Sequence, residues 1–303
     1  MLVLVALALH VCASGALNHS KAEAAFIADI VVRKASGRVG RIVIMDVGAN
    51  NGKWSRTTMR KVSAALGGRL DAVELVMFDP QPRFAQTLKE TANSFPHATF
   101  LPHAAYTHET TLPFFFSAQH ESASLLRASA AHGGRQEQKP PVEVRVRAVD
   151  LASFSMLRNL SLSTADAVLF KLDIEGAEFS VLPRLLQAGA LCHTTFAIIE
   201  WHLLTQPAEK RLAGLHLRHS LDMLLENGCT TPPRALRHFD FAPNNFGSVP
   251  GLATLAEAYT PEGIKHRFAH LKGGKYSDWA ERWKAMDAAA GTSTSGGYNF
   301  KTG

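Results

Sequence analysis

Residues 42–52 read I-V-I-M-D-V-G-A-N-N-G: four apolar residues, an aspartate, and two glycines with three residues between them. The run at 42–45 has the length and β-branched content of a buried strand, and Met59, Val62, Ala65 and Leu66 recur at helical spacing behind it. The glycines therefore sit between a strand and a helix. Lacking a Cβ, Gly48 and Gly52 let the backbone turn sharply and lie against a ligand, with the amides that open the helix facing it. Two nucleotide loops fail the spacing test. A dinucleotide fingerprint needs G-x-G-x-x-G, and a phosphate loop needs four residues between its glycines, then Lys and a hydroxyl residue; here Trp54 follows Lys53.

What remains is D-x-G-x-x-x-G, which resembles the first motif of S-adenosylmethionine-dependent methyltransferases. An ordinary strand-to-helix turn of an α/β domain fits the same residues, so the rest of the chain has to decide.

Downstream, strand and helix signals alternate. Residues 22–34 predict a helix before the first strand, with Ala25, Ile27, Ile30 and Val31 as its apolar positions. Residues 74–78 read as a strand ending in Asp79-Pro80, with Phe84, Leu88 and Ala92 at helical spacing after it and Pro82 suited to a helix start. A short strand at 98–102 leads into His103. The stretches 112–117 and 142–149 also read as strands, the second by strict alternation in V-E-V-R-V-R-A-V. Between them, the polar residues 118–141 suggest a hairpin-like insertion with a long connection. The regular pattern returns at 167–172, followed by D-I-E-G and a helix that Gly189 stops. It continues with a strand at 196–199 closed by Glu200-Trp201-His202, a helix carrying Leu217, Leu221, Leu224 and Leu225 that Asn227-Gly228 caps, and strands expected within 229–241. This order predicts a parallel sheet with helices on both faces. Trp279, Trp283 and Met286 share one helix face near the end, and the last dozen residues have the composition of a disordered tail.

At 303 residues, 46% hydrophobic and 19% charged, the chain has the material for a sizeable core, which excludes global disorder. The net charge of +6 is spread without a dense basic block or an aromatic-interleaved stripe, so nucleic acid is not expected as a partner. Residues 1–16 contain no Lys, Arg, Asp or Glu and end in small residues. They resemble a signal peptide or a short N-terminal anchor, and are too short for a stable membrane span of roughly 20 residues. A secretory or extracellular location follows as an expectation. Asn18 and Asn159 head glycosylation-type triplets that carry little weight. Cys192 and Cys229 have neither the number nor the spacing of a disulfide framework or zinc site, and are expected as buried small hydrophobes.

In parallel α/β sheets, ligands bind beyond the carboxyl ends of the strands. Asp46, Asp79, Asp173 and Glu200 all end apolar strands there. Burying one such carboxylate without partners costs roughly several kcal/mol, so four together suggest a polar ligand or solvent, although each also fits a helix cap. Asp79 ends the second strand, where an acid can accept hydrogen bonds from both hydroxyls of an adenosine ribose.

Six ordered stretches are similar to landmarks of the FkbM-type methyltransferase family: D-V-G-A-N-N-G at 46–52, F-D-P-Q-P at 78–82, S-A-S-L at 122–125, the strand before V-D-L at 149–151, K-L-D-I-E-G-A-E at 171–178 and I-I-E-W-H at 198–202. The resemblance covers roughly residues 40–240. It implies a class I methyltransferase (Rossmann-like) fold, with a mixed seven-stranded sheet whose last strand is antiparallel. It places the domain at 22–247, with the insertion at 106–150 and a C-terminal extension at 250–303. It implies S-adenosylmethionine as cofactor, with Asp46, Gly48, Ala49, Asn50, Gly52, Asp79, Ser124 and Asp173 around it. The implied activity is O-methylation of a small molecule or a sugar or glycan hydroxyl.

Methyl transfer to an alcohol needs alignment in a dry site and a base for the released proton. The candidates are Asp173, Glu175, Glu178 and His202, with Asp173 favoured because it ends the strand next to the cofactor strand. Glu178, in the first turn of its helix, could instead face solvent, where the helix dipole favours a negative charge. Lys171 fits a structural ion pair. His103 and His202 fit core or loop positions, and no ligand spacing compels a metal. A methyltransferase fold that binds without turnover, and a nicotinamide-dependent oxidoreductase, are the alternatives.

Overall fold

The computed structural model describes residues 19–38, 40–116, 123–125, 141–157, 167–203, 206, 208–229 and 235–240. They belong to the first of two units, Met1–Phe241. The leader-like segment, Asn159, most of the connection 118–141 and everything expected beyond residue 241 lie outside the described residues.

The chain opens with helix α1 (His19–Ala35), then β1 (Ile42–Val47), α2 (Lys53–Leu66), β2 (Val73–Phe78), a 3-10 turn at Pro82–Phe84, α3 (Ala85–Asn93) and β3 (Ala98–Leu101). Next come β4 (Ala104–Tyr106), β5 (Thr110–Phe116), β6 (Ala123–Ser124), β7 (Val142–Asp150) and α4 (Leu151–Leu157). The last part is β8 (Ala167–Leu172), α5 (Glu178–Gln187), β9 (Phe196–Trp201), α6 (Ala208–Gly228) and β10 (Ala235–Asp240).

Six strands form the central sheet in the order β10-β9-β8-β1-β2-β3, every neighbour pair parallel. The expected mixed sheet of seven strands, the last antiparallel, is not what the described residues form. β10 is reached from β9 through the crossover helix α6, and such a crossover returns the chain in the same direction. Antiparallel pairing is confined to a second, four-stranded sheet, β4-β7-β5-β6, in which β5 pairs antiparallel with β6 and β7.

Both faces of the central sheet are covered, which is why its strands are near-continuous apolar runs. Side chains alternate across the pleat. Val43, Met45 and Val47 join Val168, Phe170, Leu172, Val181, Leu182 and Trp201 in one buried layer. Ile42 and Ile44 join Phe26, Ile30, Met59, Val62, Leu75, Met77 and Leu169 in the other. In the small sheet, Phe114, Val146 and Ala148 form a separate apolar cluster with Ala104.

Cys192 and Cys229 form a disulfide with a Cα–Cα distance of 5.2 Å. They are not the separate small hydrophobes that their spacing suggested. The 3-10 turn at Ala190–His193 and the end of α6 both pack on the α5 side of the core, so two cysteines 37 residues apart meet in space.

From β1 the chain winds outward to β3, then returns to lay β8 on the other side of β1. The carboxyl ends of β1 and β8 therefore flank a topological switch point, the crevice where open α/β sheets take their ligands.

Candidate functional site

The loop after β1 is shaped by its glycines. Gly48 has φ +89°, and a Cβ there would overlap the Asp173 carbonyl, so the loop after β1 and the loop after β8 touch through a position only glycine can fill. Gly48 and Ala49 both donate their N–H groups to the Phe78 carbonyl at 2.9 Å. Gly52 takes φ +72° at the start of α2, and Asn51 Oδ1 accepts the Lys53 N–H at 3.0 Å, so that first-turn amide is already engaged.

Asp46 and Lys171 are direct partners in the β1–β8 register. Both lie on the face toward α2, where Ser55 Oγ donates to Asp46 Oδ2 at 2.5 Å. Lys171 Nζ lies 3.3 Å from Asp46 Oδ1 and 3.0 Å from Asp173 Oδ2, and donates to the Gly48 carbonyl at 3.2 Å. Burial works to lower the Lys171 pKa, but the Asp173 and Asp46 carboxylates outweigh it and raise it above the usual lysine range. Asp46 is fully buried, and desolvation raises its pKa against the pull of Lys171 and Ser55. The expected ion-pair role of Lys171 is thus present, and Asp46 serves the sheet rather than the cavity wall.

An open cavity lies at the switch point. Its wall includes Gly48, Asn50, Asp79, Gln81, His103, Phe114, Leu125, Asp173, Ile174 and Glu175. Of the residues expected around a cofactor, Gly48, Asn50, Asp79 and Asp173 come together here; Ala49, Gly52, Asp46 and Ser124 stand behind the wall.

Asp79 is nearly buried. Its Oδ2 accepts the Asn50 N–H at 2.7 Å and its Oδ1 the Gln81 N–H at 2.8 Å. Desolvation pushes its pKa up to about 7, although both backbone bonds favour the charged form. Each oxygen keeps lone-pair capacity for a further donor. Asn50 Oδ1 and His103 Nδ1 are buried without a hydrogen-bond partner on the same wall. Buried polar groups rarely stay so, and a ligand carrying hydroxyl, amino and ring-nitrogen groups would satisfy both. The residues present therefore fit an adenosine-bearing cofactor.

On the opposite wall, residues 173–177 make a tight turn in which Glu175 has φ +55° and Gly176 φ +103°. A non-glycine residue there carries strain of about 1–3 kcal/mol and persists only when its surroundings fix it. Three side chains do so. Glu178 accepts the N–H groups of Ile174 and Gly176, both at 2.8 Å. Ser124 Oγ donates to the Glu175 carbonyl at 2.6 Å, and Gln206 Nε2 to the Gly176 carbonyl at 2.7 Å. Glu178 is 0% exposed, so the solvent-facing alternative is overturned. Its helix turns the same face inward that carries Val181, Leu182 and Leu185.

His202, expected among the catalytic groups, is buried behind the turn. Nδ1 lies 3.0 Å from Glu178 Oε1, and Nε2 lies 3.4 Å from Glu175 Oε2 with Asp173 and Glu200 each at 3.9 Å. Burial alone would lower its pKa. The surrounding carboxylates, Glu178 foremost, raise it to about 10, so the ring is a cation at neutral pH. Burial raises the Glu175 pKa to about 7, with His202 pulling it down and Asp173, Glu178 and Glu200 pushing it up. Asp173, Glu175 and His202 offer donor atoms within 4.8 Å of one another, a spacing that could hold a divalent cation. Lys171 and charged His202 already supply positive charge to this cluster.

Of the residues singled out in the sequence, Gly48, Asn50, Asp79, Asp173 and Glu175 line the cavity, His202 lies behind it, and Ser124, Lys171 and Glu178 hold its walls from outside. Nothing in the sequence marks Ser55 or Gln206. Glu178 did carry a signal, since it shares helical spacing with three apolar residues.

The family model of the methyltransferase FkbM domain matches residues 46–228. No curated protein and no solved structure matches the chain.

Proposed function

The chain belongs to the methyltransferase FkbM domain family, and we propose that it moves a methyl group from S-adenosylmethionine to a hydroxyl of a small molecule or glycan. The observation that carries this reading is a single cavity at the switch point, with Asp79 on one wall and Asp173 and Glu175 on the other. Asp79 would hold the ribose hydroxyls, Asn50 and Gly48 the body of the donor, and the turn 173–177 the reacting end.

When bound, the cofactor supplies an electrophilic methyl group on a sulfonium. The protein's part is to align the acceptor hydroxyl, exclude water and take the released proton. Of the candidate bases, Glu175 suits this task better than Asp173. It lines the cavity, and its pKa of about 7 leaves it able to accept a proton near neutral pH. Asp173 is held by Lys171 and would orient the reacting groups. His202, out of the cavity, would keep Glu175 in place and temper the local negative charge. Phe78, Phe114 and Leu125 give the site apolar walls that limit water.

The disulfide supports an oxidising compartment, where such bonds persist. This agrees with the proposed leader at 1–16 and favours an extracellular or lumenal hydroxyl as acceptor. Among the described residues no helix is long and apolar enough to cross a membrane.

Calorimetry with S-adenosylmethionine and with NAD tests the reading. Donor binding that Asp79→Ala abolishes supports it, and binding of NAD alone overturns it. Mass spectrometry of extracts given isotope-labelled donor then identifies the acceptor. A donor that binds but is never consumed would favour a fold that binds without turnover.

A further inference from the structure

We propose that Glu178 is a positioning residue for this site: its one buried carboxylate ties the turn 173–177 to the His202 ring and so sets the direction in which Glu175 enters the cavity. The inference rests on the reading of the cavity as an S-adenosylmethionine site.

A glutamate in the first turn of a helix ordinarily lies at the surface and serves the helix's own amides or its dipole. Glu178 lies away from the surface and bonds none of its own helix's amides. It is 0% exposed, and its three hydrogen-bond partners are the N–H groups of Ile174 and Gly176, which precede its helix, and Nδ1 of His202, which follows β9. Oε1 is shared between Ile174 and His202, while Oε2 takes Gly176. One carboxylate thus joins the loop after β8 to the loop after β9.

Other groups of the turn are also held. The Asp173 N–H donates to the Val47 carbonyl at 2.9 Å and the Ala177 N–H to the Ile174 carbonyl at 3.3 Å. Ser124 and Gln206 take the carbonyls of Glu175 and Gly176. Because consecutive left-handed residues at 175 and 176 are unfavourable for glutamate, the turn keeps this shape only while such partners act together. Glu178 supplies two of them and fixes His202, whose Nε2 faces the Glu175 carboxylate. Glu178 does not itself line the cavity, so its effect on a ligand must pass through the turn.

Glu178→Gln keeps the size but replaces one acceptor oxygen by a donor, setting N–H against N–H. Binding of two probes is measured by calorimetry: S-adenosylmethionine, which would span both walls, and adenosine, which lacks the methionine part and would rest mainly on the Asp79 wall. The expected result is a loss of roughly tenfold or more in S-adenosylmethionine affinity, the scale of one charge-assisted hydrogen bond, with adenosine affinity unchanged. Equal weakening of both probes means general collapse of the domain and overturns the proposal. Unchanged S-adenosylmethionine affinity also overturns it. If the wild-type protein binds neither probe, the cofactor reading itself falls and the proposal with it. If circular dichroism shows Glu178→Gln unfolded, Glu178→Asp is measured instead. It keeps the charge but shortens the reach by one methylene, and the same split between the probes is expected.

Discussion

Replacing Asp79 by asparagine should make stability less dependent on pH, by an amount that follows from where the carboxylate sits. In the folded protein Asp79 is protonated up to about pH 7 because burial disfavours its charge, whereas its ordinary value is 3.8. Since folding raises this pKa, the stability linked to the bound proton is full below pH 3.8 and lost as pH climbs through about 7. Each pH unit in which the unfolded chain is ionised and the folded group is not is worth about 1.4 kcal/mol. Between pH 5 and pH 8 that amounts to about 3 kcal/mol, nearly all of it below pH 7. The substituted amide cannot ionise and loses none of this. It does set an N–H₂ group against the N–H of either Asn50 or Gln81, at a cost of about 1–3 kcal/mol that does not vary with pH. The variant should therefore be the less stable protein at pH 5 and equal or exceed the wild type at pH 8. Urea unfolding of both proteins at pH 5, 6, 7 and 8 measures the difference directly, and the contribution of Glu175, common to both, cancels. Curves that run parallel across this range would refute the assignment of a buried, protonated Asp79.

Lys171→Met removes the cation beside Asp46 and leaves a carboxylate uncompensated in the core. Urea unfolding at neutral pH should show a loss of about 3–5 kcal/mol, and a variant as stable as wild type would mean that Asp46 does not depend on this pair. Cys192→Ser opens a loop of 37 residues and should cost about 4 kcal/mol. Its melting temperature should equal that of reduced wild-type protein, and an unaltered melt on reduction would contradict the bridge. Glu175→Gln should retain the donor by calorimetry but lose methyl transfer, together with the rise in wild-type rate as the carboxylate ionises around pH 7. If that rise survives in Glu175→Gln, the base is another group.

Much of the central sheet could be read before any coordinates, because its strands are buried on both faces and appear as short apolar runs ended by an acid. β1, β2, β8 and β9 are of this kind, and so are the positions of Asp79 and Asp173. β3, β5 and β7 fell within a residue or two of their expected bounds. The parallel direction of β10 was not legible in its residues, because direction depends on the crossover that leads into the strand. The disulfide was missed for a similar reason: two cysteines reveal nothing of their distance until the 3-10 turn and α6 are packed. Glu178 was ambiguous because a first-turn glutamate satisfies two rules at once, the helix dipole and the apolar stripe of Val181, Leu182 and Leu185, and burial decided for the second. Ser124 and Gln206 sit in segments without periodicity, where one hydroxyl or amide gives no sign of its partner.

Asp46 and Lys171 are neighbours in the sheet but stand 125 positions apart along the chain. At synthesis rates of about 5–20 residues per second, a ribosome needs roughly 6 to 25 seconds to deliver the lysine after the aspartate. Throughout that interval the first strand carries an acid with no counterion and an open edge where β8 will later dock. The nascent N-terminal half has to stay hydrated or shielded until then, which makes the arrival of residue 171 the event that allows the middle of the sheet to dry and close.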